Sequence, residues 1–156
     1  MASILVALLT AACSHVVSRE MRTLAGNDIT ARQVFQNPDA YLGKLVILGG
    51  MIASTRNARE GTYMEIVEKE LDYRGMPKAT DRSQGRFIVL HDGYLDRAIF
   101  STGRYVTVAG VVMGRQVRPL GEMDYSYLML KSRETHLVDR SEGIPVTFGI
   151  GIFHSF

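Results

Sequence analysis

The sequence predicts a small, mainly β protein in which five or six short strands form a barrel and one or two short helices pack beside it. Apolar, β-prone runs alternate with glycine-rich or charged turns along most of the chain. Two of these runs, residues 44–54 and 104–113, are apolar on both faces and are interrupted by glycine. Glycine inside a buried strand is typical of a bulge or of sharp coiling at a barrel corner. A small β-sandwich is the alternative.

The composition is that of one ordinary folded domain. Apolar residues make up 46% of the 156 residues and charged residues 22%, and the formal net charge of +2 is too small by itself to indicate a nucleic acid partner. The one cysteine permits no intramolecular disulfide, so packing has to hold the fold. No apolar run approaches the roughly 18–20 residues that a membrane-spanning helix requires.

The N-terminal residues predict a lipid attachment site. Residues 1–12 are uncharged and mostly apolar, as in the central region of a secretory signal peptide, and they end on small residues directly before Cys13. This arrangement resembles the bacterial lipobox, in which the signal is removed and the cysteine is acylated, although Thr10 stands where Leu is preferred. The resemblance implies a membrane anchor on Cys13, and Ser14 after it favours sorting to the outer membrane. Residues 13–28 then form a lipidated tether.

The predicted β-barrel domain covers residues 29–142. A short helix is expected over residues 31–36, because Asp28 or Thr30 can cap it and the Asn37-Pro38 pair ends it. A long charged loop covers residues 68–84, and a helical turn covers residues 95–100. The strands are expected at residues 44–54, 62–67, 86–91, 104–113, 125–131 and 135–139, with a polar loop or short strand between 114 and 123. Short strands in this number, with one short helix, favour an OB-like barrel.

The last segment, residues 143–156, is predicted to be an apolar C-terminal strand. Val146, Phe148, Ile150 and Ile152 alternate with other residues, mostly small ones, so one side of the strand is bulky. An apolar, nearly uncharged strand is an aggregation hazard when it is exposed. It therefore either closes the protein's own barrel or pairs with a neighbour, which is a second copy of the chain or an envelope complex.

A candidate ligand-binding rim consists of arginines near the predicted strand ends. Arg86, Arg104 and Arg115 are its main members, with Tyr63 and Phe87 as the aromatic residues that would stack on a ligand. Arg82 and Arg118 belong to the same set, and Tyr105 is a further stacking candidate. Ordinary surface charge, balanced by nearby acidic residues, is the alternative interpretation.

The sequence predicts no catalytic, metal-binding or cofactor-binding residues. None of the four histidines has metal-ligand spacing from another histidine or from the cysteine. The serines and threonines show no nucleophile elbow and no order that suggests a catalytic triad. The Gly49-Gly50 pair lacks the following Lys-Ser/Thr of a phosphate-binding loop.

Five segments of the chain together resemble the Slp family of Gram-negative outer-membrane lipoproteins. They are VFQNPDAYLGKLVILGGMI (34–52), EGTYMEIVEKELDYRGMP (60–77), SQGRFIVLHDGYLD (83–96), GRYVTVAGVVMG (103–114) and GEMDYSYLML (121–130). The chain departs from the family at Leu128, where Pro is expected, and at Val138, where Trp is expected. The resemblance covers residues 30–138 and implies an envelope lipoprotein without established catalytic residues.

These observations lead to one expected function and one alternative. We expect a non-enzymatic lipoprotein that acyl chains on Cys13 anchor to the outer membrane, facing the periplasm, as a structural or stress-related component of the envelope. It would be a subunit of a larger envelope complex if the C-terminal strand recruits a partner. The alternative is an OB-type module that binds an anionic envelope polymer, and a periplasmic location argues against nucleic acid.

Overall fold

The computed structural model describes residues 14–139. The predicted lipid attachment at Cys13 lies outside these residues, and so does the predicted C-terminal strand with Val146, Phe148, Ile150 and Ile152. Within the described part of the chain, two short helices and a 3-10 turn precede or flank five strands. They are α1 (Arg19–Ala25), α2 (Ala31–Gln36), the 3-10 turn (Pro38–Tyr41), β1 (Leu45–Ala58), β2 (Gly61–Glu68), β3 (Arg86–His91), β4 (Tyr105–Leu120) and β5 (Met123–Val138).

The five strands form a closed ring in the order β1-β2-β3-β5-β4, with β4 returning to pair with β1. All neighbouring strands are antiparallel except β3 and β5, which run parallel. The parallel ladder is short and joins residues 87–90 to residues 128–131. A five-stranded ring of this kind is the arrangement of an OB-like barrel. The predicted fold class is confirmed, and the β-sandwich alternative is wrong.

The strands β4 and β5 are longer than the sequence predicts. The segment between residues 114 and 123, expected as a polar loop or short strand, continues both strands into a hairpin that turns at residues 121–122. The two strands expected at the end of the domain are one strand, β5. The apolar pattern fades here because residues 115–126 form a largely exposed hairpin arm, in which backbone pairing continues without a buried side-chain face.

The glycine pair in β1 permits close strand approach rather than forming the bulge itself. A Cβ atom on Gly50 would lie 1.9 Å from the carbonyl oxygen of Val67 on β2, so only glycine fits there. The register shift in the β1–β2 ladder falls slightly later, between Ile52 and Ser54. In the β4–β5 ladder one register shift lies beside Gly110, where the sequence predicts an interruption.

One hydrophobic core fills the ring and continues under helix α2. Val34 of α2 and Phe87 of β3 are both fully buried, and the rings of Phe35 and Phe87 meet edge to face at 6.3 Å between centroids. The helix starts and stops as predicted, since Thr30 and Gln33 form a reciprocal capping box and Asn37 ends it before Pro38. Helix α2 therefore packs its apolar face against the core of the barrel.

The N-terminal segment, residues 14–25, is folded against the barrel and contains a helix that the sequence analysis does not predict within the tether expected over residues 13–28. Ser18 caps helix α1 by accepting a hydrogen bond from the Met21 amide. Val17 is only 3% exposed, and the Val16 amide donates to the carbonyl oxygen of Arg74. The helix has seven residues, which is too short for the apolar pattern to reveal it, and its position depends on these tertiary contacts.

Candidate ligand-binding cleft

The outer face of β2, β3 and β5 carries a second, smaller apolar cluster. Ile88, Tyr127 and Met129 are buried there, and Tyr63 and Tyr125 pack against them. Side chains on the outside of a barrel become buried only if another part of the chain covers them. The cover is the hairpin arm, residues 115–126, whose Arg118 and Pro119 line a cleft together with residues of the sheet.

This cleft has a volume of about 180 Å³ and lies between the β1–β2 and β4–β5 hairpins. The strand 2–3 face and these two connections form the ligand-binding surface of OB barrels that bind oligonucleotides or oligosaccharides. The side chains around the cleft come from β1, β2, β3, β5 and the hairpin arm. They are Ser54, Arg56, Tyr63, Glu65, Ile88, Arg118, Pro119 and Tyr127.

Two arginines lie over the ring of Tyr63 at the edge of the cleft. The guanidinium carbon of Arg56 is 4.8 Å from the ring centroid, and that of Arg118 is 5.1 Å away, both within cation–π distance. Arg118 also donates to the side-chain oxygen of Gln116 at 2.7 Å. Within residues 14–139, neither Arg56 nor Arg118 forms an ion pair with a carboxylate. Two arginines that form no salt bridge therefore lie against one aromatic ring, and the charge of Arg56 is close enough to Glu60 to help lower the pKa of that carboxyl group.

The floor of the cleft is a fixed polar network around Glu65. Arg86 Nη1 lies 2.6 Å from Glu65 Oε1, and the hydroxyl of Tyr127 donates to the same oxygen at 3.2 Å. Burial and the nearby Glu65 charge raise the pKa of Tyr127. The amide of Arg86 donates to the hydroxyl of Tyr125. Arg86 is thus neutralised by Glu65 and holds the floor in place.

The Tyr63 ring is held from its hydroxyl end. This hydroxyl donates to Glu60 Oε1 at 2.8 Å, and the hydrogen bond raises the pKa of Tyr63. The backbone hydrogen bond of Glu60, followed by the bond from Tyr63, lowers the pKa of Glu60. Glu60 lies in the tight β1–β2 turn, so this turn fixes the position of the Tyr63 ring. The same turn places Arg56 opposite Tyr63 in the β1–β2 ladder.

The structure brings together only part of the predicted arginine rim. Tyr63 and Arg86 lie at the cleft. Arg104 lies at the start of β4, where it donates to the carbonyl oxygen of Ile99 and pairs with Asp139. Arg115 donates to the carbonyl oxygen of Gln36 after helix α2.

The structure does not support stacking of Phe87 on a ligand, because its side chain lies inside the barrel with no exposed surface. The reason is strand alternation. Arg86 and Ile88 face outward, so Phe87 between them faces inward.

Arg56 is the residue of the cleft that the sequence interpretation misses. It falls between the strands predicted at residues 44–54 and 62–67, whereas β1 continues to Ala58 and the turn is only two residues long. The signal is in the register: a tight turn between Ala58 and Gly61 places Arg56 directly across from Tyr63. Arg118 belongs to the predicted arginine rim, but nothing in the sequence indicates that it lies near Tyr63.

A second cavity, of about 350 Å³, lies between the start of α2, β1 and the 68–84 loop. Glu68 lines it and is 4% exposed, and its Oε2 accepts a hydrogen bond from the backbone N–H of Gln84 at 2.6 Å. Burial raises the pKa of Glu68, and the Gln84 hydrogen bond opposes this only in part. The folded protein therefore holds the Glu68 proton more tightly than the unfolded chain does.

Replacing Glu68 by glutamine should stabilise the protein at neutral pH. The pKa of Glu68 is higher in the folded protein than in the unfolded chain. The free energy of unfolding therefore falls as pH rises through that folded pKa, because the buried carboxyl group must then carry a charge. Glutamine keeps an acceptor for the Gln84 amide and removes that charge. Thermal unfolding at several pH values checks this, and we expect the gain in Tm at pH 7 to shrink towards acidic pH. Glu70→Gln is the matched control, since Glu70 is exposed and paired with Lys78. A Tm gain at Glu68 that does not change with pH would contradict the explanation.

The described part of the chain holds no group of three His, Cys, Asp or Glu side chains placed to bind a metal ion. Within the same residues, neither α-helix reaches the length that crossing a membrane would require.

Comparison with known proteins gives consistent matches over most of the chain. The model of the outer membrane lipoprotein Slp family matches residues 10–146. The outer membrane protein Slp of Escherichia coli (strain K12) is 24% identical over 147 residues, which cover 91% of this chain and 76% of that protein. The uncharacterized lipoprotein YeaY of the same strain is 28% identical over 99 residues, covering 64% of this chain and 51% of that protein.

Among solved structures, the chain resembles Schizosaccharomyces pombe Pot1pC bound to single-stranded DNA. The identity is 14% and the TM-score 0.36, covering 65% of this chain and 84% of that one. At this TM-score the likeness carries no argument about function.

Proposed function

Because the chain belongs to the outer membrane lipoprotein Slp family, we propose that it is a non-enzymatic component of the cell envelope, anchored through acyl chains on Cys13 with its barrel in the periplasm. Membership of this family makes it an outer-membrane lipoprotein. A signal-like run that ends directly before the only cysteine supports Cys13 as the acylated residue. Several acyl chains, each contributing about 0.8 kcal/mol per buried CH₂, would make the attachment stable.

We further propose that the cleft binds an anionic envelope polymer. The observation that carries this is the placement of Arg56 and Arg118 over Tyr63 without carboxylate partners among the described residues. A guanidinium group offers paired N–H donors that match a carboxylate or a phosphate group. The ring of Tyr63, fixed by Glu60, offers an apolar surface between the two charges. An acidic polysaccharide presents both of the matching features, regularly spaced negative charges and sugar rings with an apolar C–H face.

Replacing either cleft arginine by glutamine should weaken binding of an acidic polysaccharide by about 10- to 100-fold, because a hydrogen bond to a charged group contributes about 1.5–3 kcal/mol, and replacing both should weaken it further. The chain from Ser14 onward, which carries neither the apolar signal nor Cys13, would be titrated with alginate, and neutral dextran would be the negative ligand. Arg56→Gln with Arg118→Gln is the test variant.

Arg115→Gln is the matched control for this titration. It removes a single positive charge outside the cleft, at a residue that binds the Gln36 carbonyl. Equal loss of alginate affinity in Arg115→Gln and in each single cleft variant would contradict the proposal, since it would indicate attraction by overall charge alone. Binding of dextran as strong as that of alginate would contradict it as well.

A second proposal concerns assembly with a partner. The alternation of Val146, Phe148, Ile150 and Ile152 along an uncharged C-terminal segment favours strand addition to a second copy or to an envelope complex.

One experiment on detergent-solubilised envelopes tests the anchor and the partner together. We expect tagged wild-type protein to sediment with membranes, to have an intact mass increased by acyl chains, and to retain a stoichiometric partner. Cys13→Ser should lack the added acyl mass. Deleting residues 144–156 should leave a folded, membrane-bound protein without the partner. A wild-type chain that begins at Met1 with a free thiol would contradict the anchor, and an unfolded truncated protein would indicate that the segment completes its own barrel.

A further inference from the structure

The N-terminal segment, residues 14–25, is attached to the barrel almost from its first described residue. The Val16 amide donates to the Arg74 carbonyl oxygen at 2.9 Å, and Val17 is buried. Both the amide and the hydroxyl of Ser18 donate to the carboxylate of Glu134 on β5, at 3.0 and 2.5 Å. This is a fixed attachment to the body of the protein, which leaves no flexible spacer after Val16.

The electrostatics of Glu134 support this attachment. Burial raises the pKa of this carboxyl group, but the two Ser18 hydrogen bonds and the nearby His136 outweigh burial and lower it. Glu134 therefore accepts both Ser18 bonds as a carboxylate, and hydrogen bonds to an ionised acceptor are the stronger kind.

The distance from Cys13 to this attachment is short. Val16 is the third residue after Cys13, and a fully extended chain spans at most about 3.6 Å per residue, or roughly 11 Å over these three steps. The polar headgroup layer occupies roughly 5–8 Å of each leaflet, the difference between the hydrocarbon core and the whole bilayer. If Cys13 carries acyl chains in the hydrocarbon core, Val16 has to lie within a few ångströms of the headgroup surface.

The surface around Val16 has the chemistry of a membrane contact. His15, Arg22, Tyr73 and Arg74 line one groove there, of about 260 Å³. Tyr73 is 77% exposed, and the neighbouring carboxylate of Asp72 is already engaged by the backbone amides of its own loop.

Helix α1, whose Arg22 lines this groove, carries further exposed apolar and basic side chains. Leu24 is 63% exposed, and Arg19 and Arg22 form no ion pair within residues 14–139. Basic side chains are attracted to anionic headgroups, and tyrosine is enriched at the membrane–water interface.

We propose that this end of the barrel, here called the membrane-facing end and defined by the groove residues His15, Arg22, Tyr73 and Arg74, lies directly on the phospholipid headgroups. This inference rests on the lipid attachment proposed for Cys13. It adds that the module has one fixed orientation, whereas a flexible tether would let it rotate freely below the membrane.

The hairpin tip provides a distant reference point on the same molecule. Met123 is 74% exposed and pairs with Leu120, whereas the other end of the β4–β5 ladder pairs Tyr105 with Val138 beside the N-terminal segment. At about 3.3 Å per residue, the two ends of β5 are separated by roughly 50 Å of strand contour.

The test uses acylated full-length protein in vesicles of phosphatidylethanolamine and phosphatidylglycerol. Acylation consumes the only native thiol, so Tyr73→Cys and Met123→Cys each introduce one site for a fluorescent label. A lipid with a nitroxide on its headgroup serves as quencher. We expect the label at residue 73 to lose most of its emission and the label at residue 123 to keep it. Equal quenching at both sites would overturn the inference.

A spacer variant separates the cause of the orientation from the presence of the anchor. A flexible Gly-Ser segment inserted between Ser14 and His15 keeps Cys13 and Ser14 together and lengthens the reach. Quenching at residue 73 should then fall, and unchanged quenching would overturn the claim that the short attachment sets the orientation. The intact mass reports acylation separately. An acylated protein with equal quenching at residues 73 and 123 would overturn only this inference. An unmodified Cys13 would overturn the proposed anchor as well.

Discussion

Phe87→Ala should destabilise the barrel by about 3–5 kcal/mol, the usual cost of a phenylalanine-sized cavity in a core. The Phe87 side chain has no exposed surface, and its ring packs edge to face against Phe35 of helix α2, so the cavity would separate the helix from the ring of strands. Typical domains have a free energy of unfolding of about 5–15 kcal/mol, which makes this a large fraction of the total. Urea unfolding followed by circular dichroism measures it.

Phe87→Leu is the control for this substitution, since leucine keeps more apolar volume than alanine and leaves a smaller cavity. The same pair of variants separates packing from binding. If Phe87 stacked on a ligand, Phe87→Leu would lose alginate affinity while remaining stable. We expect the reverse, an unchanged affinity in the leucine variant and a loss of stability in the alanine variant.

Gly50→Ala should have an effect of similar size, at least about 3 kcal/mol, at the upper end of the range for overpacked cores. The new Cβ would lie 1.9 Å from the Val67 carbonyl oxygen, which is backbone and has no flexible end to move. Gly50 pairs with Glu68 on one side and Val106 on the other, so β1 has no free edge towards which it can shift. Thermal and urea unfolding measure the loss.

Gly103→Ala is the matched glycine control. Its Cβ would have no neighbour within 4 Å, but its φ of 89° is costly for alanine. We expect a loss of about 1–2 kcal/mol there, from backbone strain alone. A loss at residue 50 no larger than that at residue 103 would show that β1 relaxes around the added methyl group.

The sequence predicts the fold well wherever a side-chain pattern reflects burial. The strand at residues 86–91 and the helix at residues 31–36 are confirmed at their predicted bounds, because each has strong local signals: a run of apolar residues before the Asp92-Gly93 turn in the strand and a capping box in the helix. The hairpin arm is missed because its strands are held by backbone pairing and have little buried side-chain surface. Helix α1 is missed because its seven residues are held by contacts distant in sequence, such as Ser18 with Glu134.

The candidate cleft shows the same division. Tyr63 and Arg86 can be found from composition near strand ends, but strand alternation sends Phe87 to the core and strand length decides that Arg56 faces Tyr63. Arg118 joins them only because the hairpin arm leans over the sheet. The spacing of residues in the sequence cannot predict such a site, because the bend of the hairpin arm brings together residues that are distant along the chain.

The parallel ladder between β3 and β5 joins only residues 87–90 to 128–131, whereas β4 and β5 pair along nearly their whole length. The β3–β5 ladder, here called the seam, is therefore the weakest contact in the ring of strands, because opening it breaks the fewest hydrogen bonds. Ile88 and Met129 meet across the seam and belong to the apolar cluster of the cleft. A ligand bound in the cleft would therefore stabilise the pairing of β3 with β5. The free energy needed to open the barrel there would rise with the fraction of cleft that is occupied.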